Sequence, residues 1–200
     1  MNVLITGHSS GIGAGLTKVL LATGNDVLGL SRSRWTEAHL NLHQEVVNLQ
    51  NESEVTSALS RLVHEKLKKP DLIFLNAGVL GSIASLKNTK SEELQYVMQI
   101  NVWANKVILD WFLNHELSPA QIIAISSGAA IRGNFGWSSY ALSKSTLNML
   151  TQLYAHEFKN SHLLALAPGY VDTKMQSVLR TKSSSKFPSL KALHQAHGTA

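Results

Sequence analysis

Tyr140 and Lys144 stand four positions apart in Tyr140-Ala141-Leu142-Ser143-Lys144, and on a helix that spacing sets both side chains on one face, one turn apart. An ammonium beside a phenol favours the phenolate, so the spacing predicts a Tyr140 pKa drawn from about 10 toward neutrality. A phenol so placed gives and takes protons. Taken alone, the same spacing also fits an ordinary amphipathic face. A second stretch with chemical content is Gly7-His8-Ser9-Ser10-Gly11-Ile12-Gly13. It follows a strand-like run and opens a helical one, the context of a phosphate-binding turn. There glycine lets the backbone approach a pyrophosphate, and the helix N-terminus adds partial positive charge. A tight turn with no ligand fits those residues too.

These stretches need elements that carry them. Strand-like runs alternate with helix-period segments up to about residue 167, which reads as a parallel α/β sheet. The strands are expected at Val3 to Thr6, Asp26 to Leu30, around Glu45 to Leu49, Leu72 to Leu75, Gln121 to Ile125 and Leu163 to Ala167. Between them, Leu16, Val19 and Leu20 mark a first helix, and Val55, Ala58, Leu59, Leu62, Val63 and Leu67 mark an amphipathic one closed by Pro70. A long helix is expected from an N-cap near Ser91 to about His115, and the Tyr140 helix from about Trp137 to Phe158. The fold class is therefore α/β, doubly wound and Rossmann-like, with six strands in the order 3-2-1-4-5-6 and ligands at their carboxyl ends.

With 200 residues and 44% hydrophobic content, one core and one domain are expected over 1–200. No run reaches the roughly 18 apolar residues of a membrane span, and the chain enters Val3-Leu4-Ile5 without a signal-like segment, so a cytoplasmic protein without membrane partners is expected. Cysteine is absent, which excludes disulfides and thiolate metal sites. The net charge of +5 equals the five basic residues after Asp172, namely Lys174, Arg180, Lys182, Lys186 and Lys191, where no acid follows. Such a tail without regularly interleaved aromatics reads as a solvated segment and not as a nucleic-acid site. His39 with His43, and His194 with His197, have helix-compatible spacing but no acidic or cysteine partners nearby, so no metal is expected.

Thr6 to Gly13, then Asn76-Ala77-Gly78, Asn101, Ser127, Tyr140-x-x-x-Lys144 and Pro168-Gly169-Tyr170-Val171-Asp172-Thr173 resemble, in that order, the short-chain dehydrogenase/reductase family over about residues 1–175. The resemblance implies a single dinucleotide-binding catalytic domain in which Tyr140 protonates a carbonyl oxygen as a nicotinamide hydride arrives. It implies that Ser127, thirteen residues earlier, polarises that carbonyl, that Lys144 also binds the nicotinamide ribose, and that Asn101 holds a water linking the lysine to solvent. Cofactor contacts are implied for Gly7, Ser9, Ser10, Gly11, Ile12 and Gly13 at the phosphates, and for Asn76, Ala77 and Gly78 beside the adenosine ribose. Pro168, Gly169, Val171 and Thr173 are implied to flank the nicotinamide. Asn48-Leu49 falls where the family carries an aspartate near the adenine.

Cofactor choice is read just after the second strand, where an acid would accept ribose hydroxyls and repel a 2′-phosphate. Here Ser31-Arg32 stands instead. A guanidinium binds phosphate bidentately, so NADP(H) is expected to be preferred, with NAD(H) possible and Arg34 as a second contact. Gly136 to Tyr140 and Val171 to Gln176 most resemble the benzil reductase and sepiapterin reductase branch. An NADPH-dependent reductase of a small ketone or vicinal dicarbonyl is thus expected. The alternatives are an NAD-dependent alcohol dehydrogenase and a nucleotide-sensing regulator without turnover. Trp137, Phe135 and Tyr170 fit either an aromatic pocket wall or core packing. Residues 174–200 are expected to form a mobile substrate lid, and the family's final strand is expected to be missing. A homodimer or homotetramer is expected through the long helix, whose Trp103, Val107, Ile108, Trp111 and Phe112 exceed what one sheet face needs.

Overall fold

The computed structural model of the chain describes residues 1–65 and 69–195. Six runs rich in aliphatic residues pair in parallel: β1 (Asn2–Thr6), β2 (Asp26–Ser31), β3 (Leu42–Val46), β4 (Leu72–Leu75), β5 (Gln121–Ile125) and β6 (His162–Leu166). Their order is β3-β2-β1-β4-β5-β6, as the sequence predicts. Registers include Leu4↔Leu28, Val3↔Leu72, Ile73↔Ile122 and Ile122↔Leu163.

Alternation along each strand divides the core between the two faces of the sheet. One face carries Leu4, Leu28, Ile73 and Ile122, packed on α2 (Glu52–Ser60), α4 (Ala104–Asn114) and α5 (Ser138–Glu157) through Val55, Leu59, Ile108, Phe112 and Leu147. The other carries Val3, Ile5 and Val27 against Leu21 of α1 (Gly11–Ala22). Because Ile108, Trp111 and Phe112 are spent in this core, the expected surplus of apolar surface on the long helix is not there; of the five residues Trp103 alone is exposed.

Three elements differ from expectation. β3 lies three residues earlier, since Leu42 to Val46 pairs with Val27 to Ser31. Val47 and Leu49 lie past that register, where Val47 N–H still donates to the Ser31 carbonyl at 2.9 Å, and both side chains are buried in the core cluster shared with α2. The expected long helix runs without a break from Ser91 to Asn114 but widens midway, its α-helical parts α3 (Ser91–Met98) and α4 flanking a π-helical turn at Gln99–Trp103. Ser91 is the first helical residue rather than the cap; Lys90 holds the N-cap position. The helix through Val55 ends in another π turn at Arg61–Glu65, and Leu67 lies outside the described residues. After β6 come α6 (Lys174–Arg180), a 3₁₀ turn at Pro188–Leu190 and α7 (Lys191–Gln195).

Candidate active site

The loops leaving β1, β2, β4, β5 and β6 open at one edge of the sheet around a cleft of about 580 Å³. All the residues expected at the cofactor or the chemistry line it except Gly13 and Asn101. Of the possible additions, Trp137 and Tyr170 line the cleft, whereas Arg34 and Phe135 do not; Phe135 stacks on Phe187 instead. The cations Arg32, Arg132, Lys144 and Lys174 face the cleft, and among the described residues no carboxylate lines it. That polarity suits a ligand carrying phosphates.

Gly7 (φ +70°) and Gly11 (φ +55°) occupy the left-handed region, which bends the chain back so that Ser9 and Ser10 reach the cleft. Gly13 lies behind the turn. A Cβ there would come within 2.2 Å of the Gly7 carbonyl oxygen and 2.6 Å of Asn76 Nδ2, so this glycine supports the turn without lining the site. Gly13→Ala is expected to cost about 1–3 kcal/mol by forcing backbone apart. Denaturant titration against the wild-type chain measures it, and an unchanged midpoint is the contrary result. The exit of β4 is laced to β1, with Thr6 Oγ1 accepting from the N–H groups of Asn76 and Ala77 at 2.9 Å each and Asn76 Nδ2 donating to the Thr6 carbonyl at 2.9 Å.

Asn101 sits in the π turn with its side chain fully buried. Its Oδ1 accepts from Val79 N–H at 2.8 Å, and its Nδ2 donates to Val79 O and Ser143 Oγ, both at 2.9 Å. The amide therefore clamps the loop after β4 to the Tyr140 helix. Gly78 passes so close that a Cβ would lie 3.3 Å from Asn101 Oδ1 and 3.6 Å from Lys144 Nζ.

Ser127 stands two residues past the end of β5 and caps a short 3₁₀ turn by accepting from Ala129 N–H at 3.1 Å. Its neighbour Ser126 also lines the cleft, with its hydroxyl engaged by donating to Asn148 Oδ1 at 2.5 Å. Tyr140 and Lys144 share one face of α5, with Nζ 5.7 Å from the phenol ring centroid. Lys144 is buried and donates to the Ile125 carbonyl at 2.6 Å. Burial pushes its pKa down to about 8. Burial also pushes the Tyr140 phenol above its ordinary value, against a smaller downward pull from the Ser127 hydroxyl. The acidified phenol expected from spacing is thus absent in the chain by itself, where desolvation of the ring outweighs its neighbours.

The tail closes one wall. Leu179, Phe187 and Leu190 bury themselves with Leu80 against Ile83, Trp137, Tyr140 and Met175, and Trp137 Nε1 donates to Ser189 Oγ at 2.8 Å. Arg132, Met175 and Ser189 line the cleft without having been singled out by sequence, because loops and tails carry no periodic signal. Of the histidine pairs, His43 faces Asp26 at 3.6 Å across neighbouring strands, and His197 lies outside the described residues. Among the described residues no helix is long and apolar enough to cross a membrane.

The model of the short chain dehydrogenase family matches residues 1–184. A benzil reductase ((S)-benzoin forming) of Bacillus subtilis is 30% identical over 207 residues, covering 98% of this chain and 85% of that protein. The benzil reductase IRC24 of Saccharomyces cerevisiae is 31% identical, covering 96% and 80%. Among solved structures, the short chain dehydrogenase/reductase YIR035C of Saccharomyces cerevisiae superposes with a TM-score of 0.87 at 23% identity, covering 99% of this chain and 83% of that one.

Proposed function

The chain belongs to the short chain dehydrogenase family of NAD(P)-dependent oxidoreductases, and from that premise we propose that it is an NADPH-dependent carbonyl reductase of small ketones and vicinal dicarbonyl compounds. The observation that carries this reading is the single cleft in which Ser127, Tyr140 and Lys144 share a wall with the glycine turn and Arg32. The residues present fit a nicotinamide dinucleotide. The two left-handed glycines bring the backbone of the turn to the cleft, Ser9 and Ser10 offer donors, and buried Lys144, which among the described residues has no carboxylate partner, lines the cleft with further donor capacity beyond its bond to the Ile125 carbonyl. When bound, that cofactor supplies the hydride.

The chain's own residues do the rest. Tyr140 donates its proton to the carbonyl oxygen, Ser127 holds that oxygen by a hydrogen bond, and Lys144 orients the ribose and steadies the charge left on the phenol. Asn101 keeps Val79 and the Tyr140 helix in register and is read as holding a water that links Lys144 to solvent. Trp137, Tyr170 and the segment from Lys174 to Leu190 wall the substrate end, and that segment acts as a lid that excludes water. A panel of benzil, aliphatic vicinal diketones and aryl ketones, run with both nicotinamide cofactors, tests the proposal. Steady NADPH consumption with diketones is expected. Cofactor binding without turnover across the panel points instead to a nucleotide-sensing regulator.

Arg32 is exposed at the adenosine end, where its guanidinium reads a 2′-phosphate. Arg32→Ala is expected to lower kcat/KM for NADPH by roughly 10- to 100-fold, the worth of charge-assisted hydrogen bonds, while NADH is unaffected. An unchanged NADPH to NADH ratio sinks this assignment. A homodimer is also part of the reading. Leu142, Met149 and Leu153 are exposed on one stripe of α5, beside the π turn that bears exposed Trp103. Sedimentation at micromolar concentration checks it, and a monomer contradicts it.

A further inference from the structure

His8 lies inside the phosphate turn but does not line the cleft. It is fully buried, and its ring fills the space left by the missing side chain of Gly29 on β2, where a Cβ would come within 2.5 Å of Nδ1. Across the ladder from Gly29 stands Gln44 of β3. His8 Nε2 lies 3.0 Å from Gln44 Oε1; that oxygen also accepts from Trp35 N–H at 2.9 Å, and Gln44 Nε2 donates to the Trp35 carbonyl at 3.1 Å. A backbone N–H only donates, which fixes the amide orientation. His8 Nε2 therefore carries the proton and donates. Burial pushes the His8 pKa below its ordinary value, against smaller opposing contacts with Gln44 and the Leu30 backbone, so the ring is neutral at pH 7.

The contacts run from the phosphate turn, across β2 and β3, to the far end of the segment holding Arg32. A second tie holds its near end. Ser31 Oγ donates to the Ser33 carbonyl at 2.6 Å and lies 3.1 Å from Ser9 Oγ, from which it can accept, and the hydroxyls of Ser9 and Ser33 are 3.2 Å apart. Arg32 sits between the ties and has no hydrogen-bond or ion-pair partner of its own among the described residues.

We infer that His8, acting through Gln44 and Trp35, is a positioning residue that pre-sets the Arg32 segment for the adenosine 2′-phosphate and so helps to determine which nicotinamide cofactor is preferred. The inference rests on the reading of Arg32 as the 2′-phosphate contact. Holding a loop in its bound form before the ligand arrives removes an ordering cost from binding. NADPH uses the guanidinium and gains from that order; NADH does not.

Gln44→Leu removes the tie and leaves His8 packed against Gly29, and His8→Leu removes the donor. Titration calorimetry with NADPH and NADH, beside steady-state kinetics, reads both. Either change is expected to raise Kd and KM for NADPH roughly 3- to 10-fold, the worth of one hydrogen bond, with kcat and both NADH constants unmoved. His8→Gln, whose amide nitrogen reaches the position of Nε2, is expected to restore NADPH binding. Equal weakening of both cofactors makes His8 a prop of the phosphate turn alone and overturns the inference, as does no change in either. Arg32→Ala in the same titration separates the two layers. If it shifts the NADPH to NADH ratio and the Gln44 and His8 variants do not, the positioning role fails by itself; if it shifts nothing, the role falls together with the reading of Arg32.

Discussion

Tyr140→Phe is expected to lower kcat for ketone reduction by roughly 10²- to 10⁴-fold, the usual worth of a positioned proton donor, while the dissociation constant for NADPH stays within a factor of a few. The change removes one oxygen and leaves the ring that packs against Trp137 at 5.9 Å, so folding and the cleft wall should survive. Burial holds the phenol protonated through neutral pH, and the Ser127 hydroxyl is the neighbour that eases its ionisation. A donor of that kind acts during the chemical step and adds little to ground-state binding, which is why the loss should fall on kcat. Rapid-mixing of saturated enzyme with benzil measures the step directly. A Tyr140→Phe variant that turns over at more than about a tenth of the wild-type rate removes Tyr140 from the reaction.

The order of the sheet was readable because every strand but β3 is a short run rich in aliphatic residues bounded by turn residues, and because β1 and β4 alternate between two core clusters. β3 departs from its expected position for a physical reason. Its paired residues Leu42 to Val46 include His43, Gln44 and Glu45, while the more apolar Val47 and Leu49 lie past that register, Val47 N–H still donating to the Ser31 carbonyl at 2.9 Å and both side chains buried in the core cluster shared with α2. The continuity of the helix from Ser91 to Asn114 was legible, but the π turn within it was not, because it carries no glycine or proline and Ile100, Asn101, Val102 and Trp103 read as ordinary α-helix. Only the three hydrogen bonds of the Asn101 amide reveal why the helix widens there.

At the site, spacing was enough to bring Tyr140 beside Lys144, and the glycine turn beside Asn76 to Gly78. Spacing could not give electrostatics. Whether a phenol is acidified depends on how much water the fold removes from it, which is a property of the tail packing Leu179 and Phe187 around Trp137 and Tyr140. His8 escaped notice for a related reason: its partners, Gly29, Gln44 and Trp35, lie on other strands and loops, and a glycine that accommodates a ring leaves no sequence pattern. The residue and the vacancy it fills become related only when β1 and β3 flank β2.

Lys144→Met is expected to stabilise the cofactor-free chain near pH 7 while lowering activity by about 10²-fold or more. The lysine has one acceptor, the Ile125 carbonyl, and burial pushes its pKa down to about 8 from the ~10.4 of an unfolded chain. Below pH 8 the fold therefore carries a cost on the order of 3 kcal/mol for keeping that charge in place, which methionine of similar length escapes, less about 1 kcal/mol for leaving the Ile125 carbonyl unpaired. Between about pH 8 and 10.4 the unfolded chain holds the proton that the folded chain has released, so the wild-type chain gains stability with rising pH and the variant does not. The difference between the two proteins should shrink across that window and vanish or reverse above it. Tyr154, raised by burial and hydrogen-bonded to Asp110, titrates alike in the two chains and cancels in the difference. Urea denaturation at pH 7, 9 and 10.5 reads it. A variant less stable than wild type at pH 7, or a difference that ignores pH, means that the lysine is better solvated in the fold than its burial implies, and that the ribose of a bound cofactor relieves no cost when it meets Nζ.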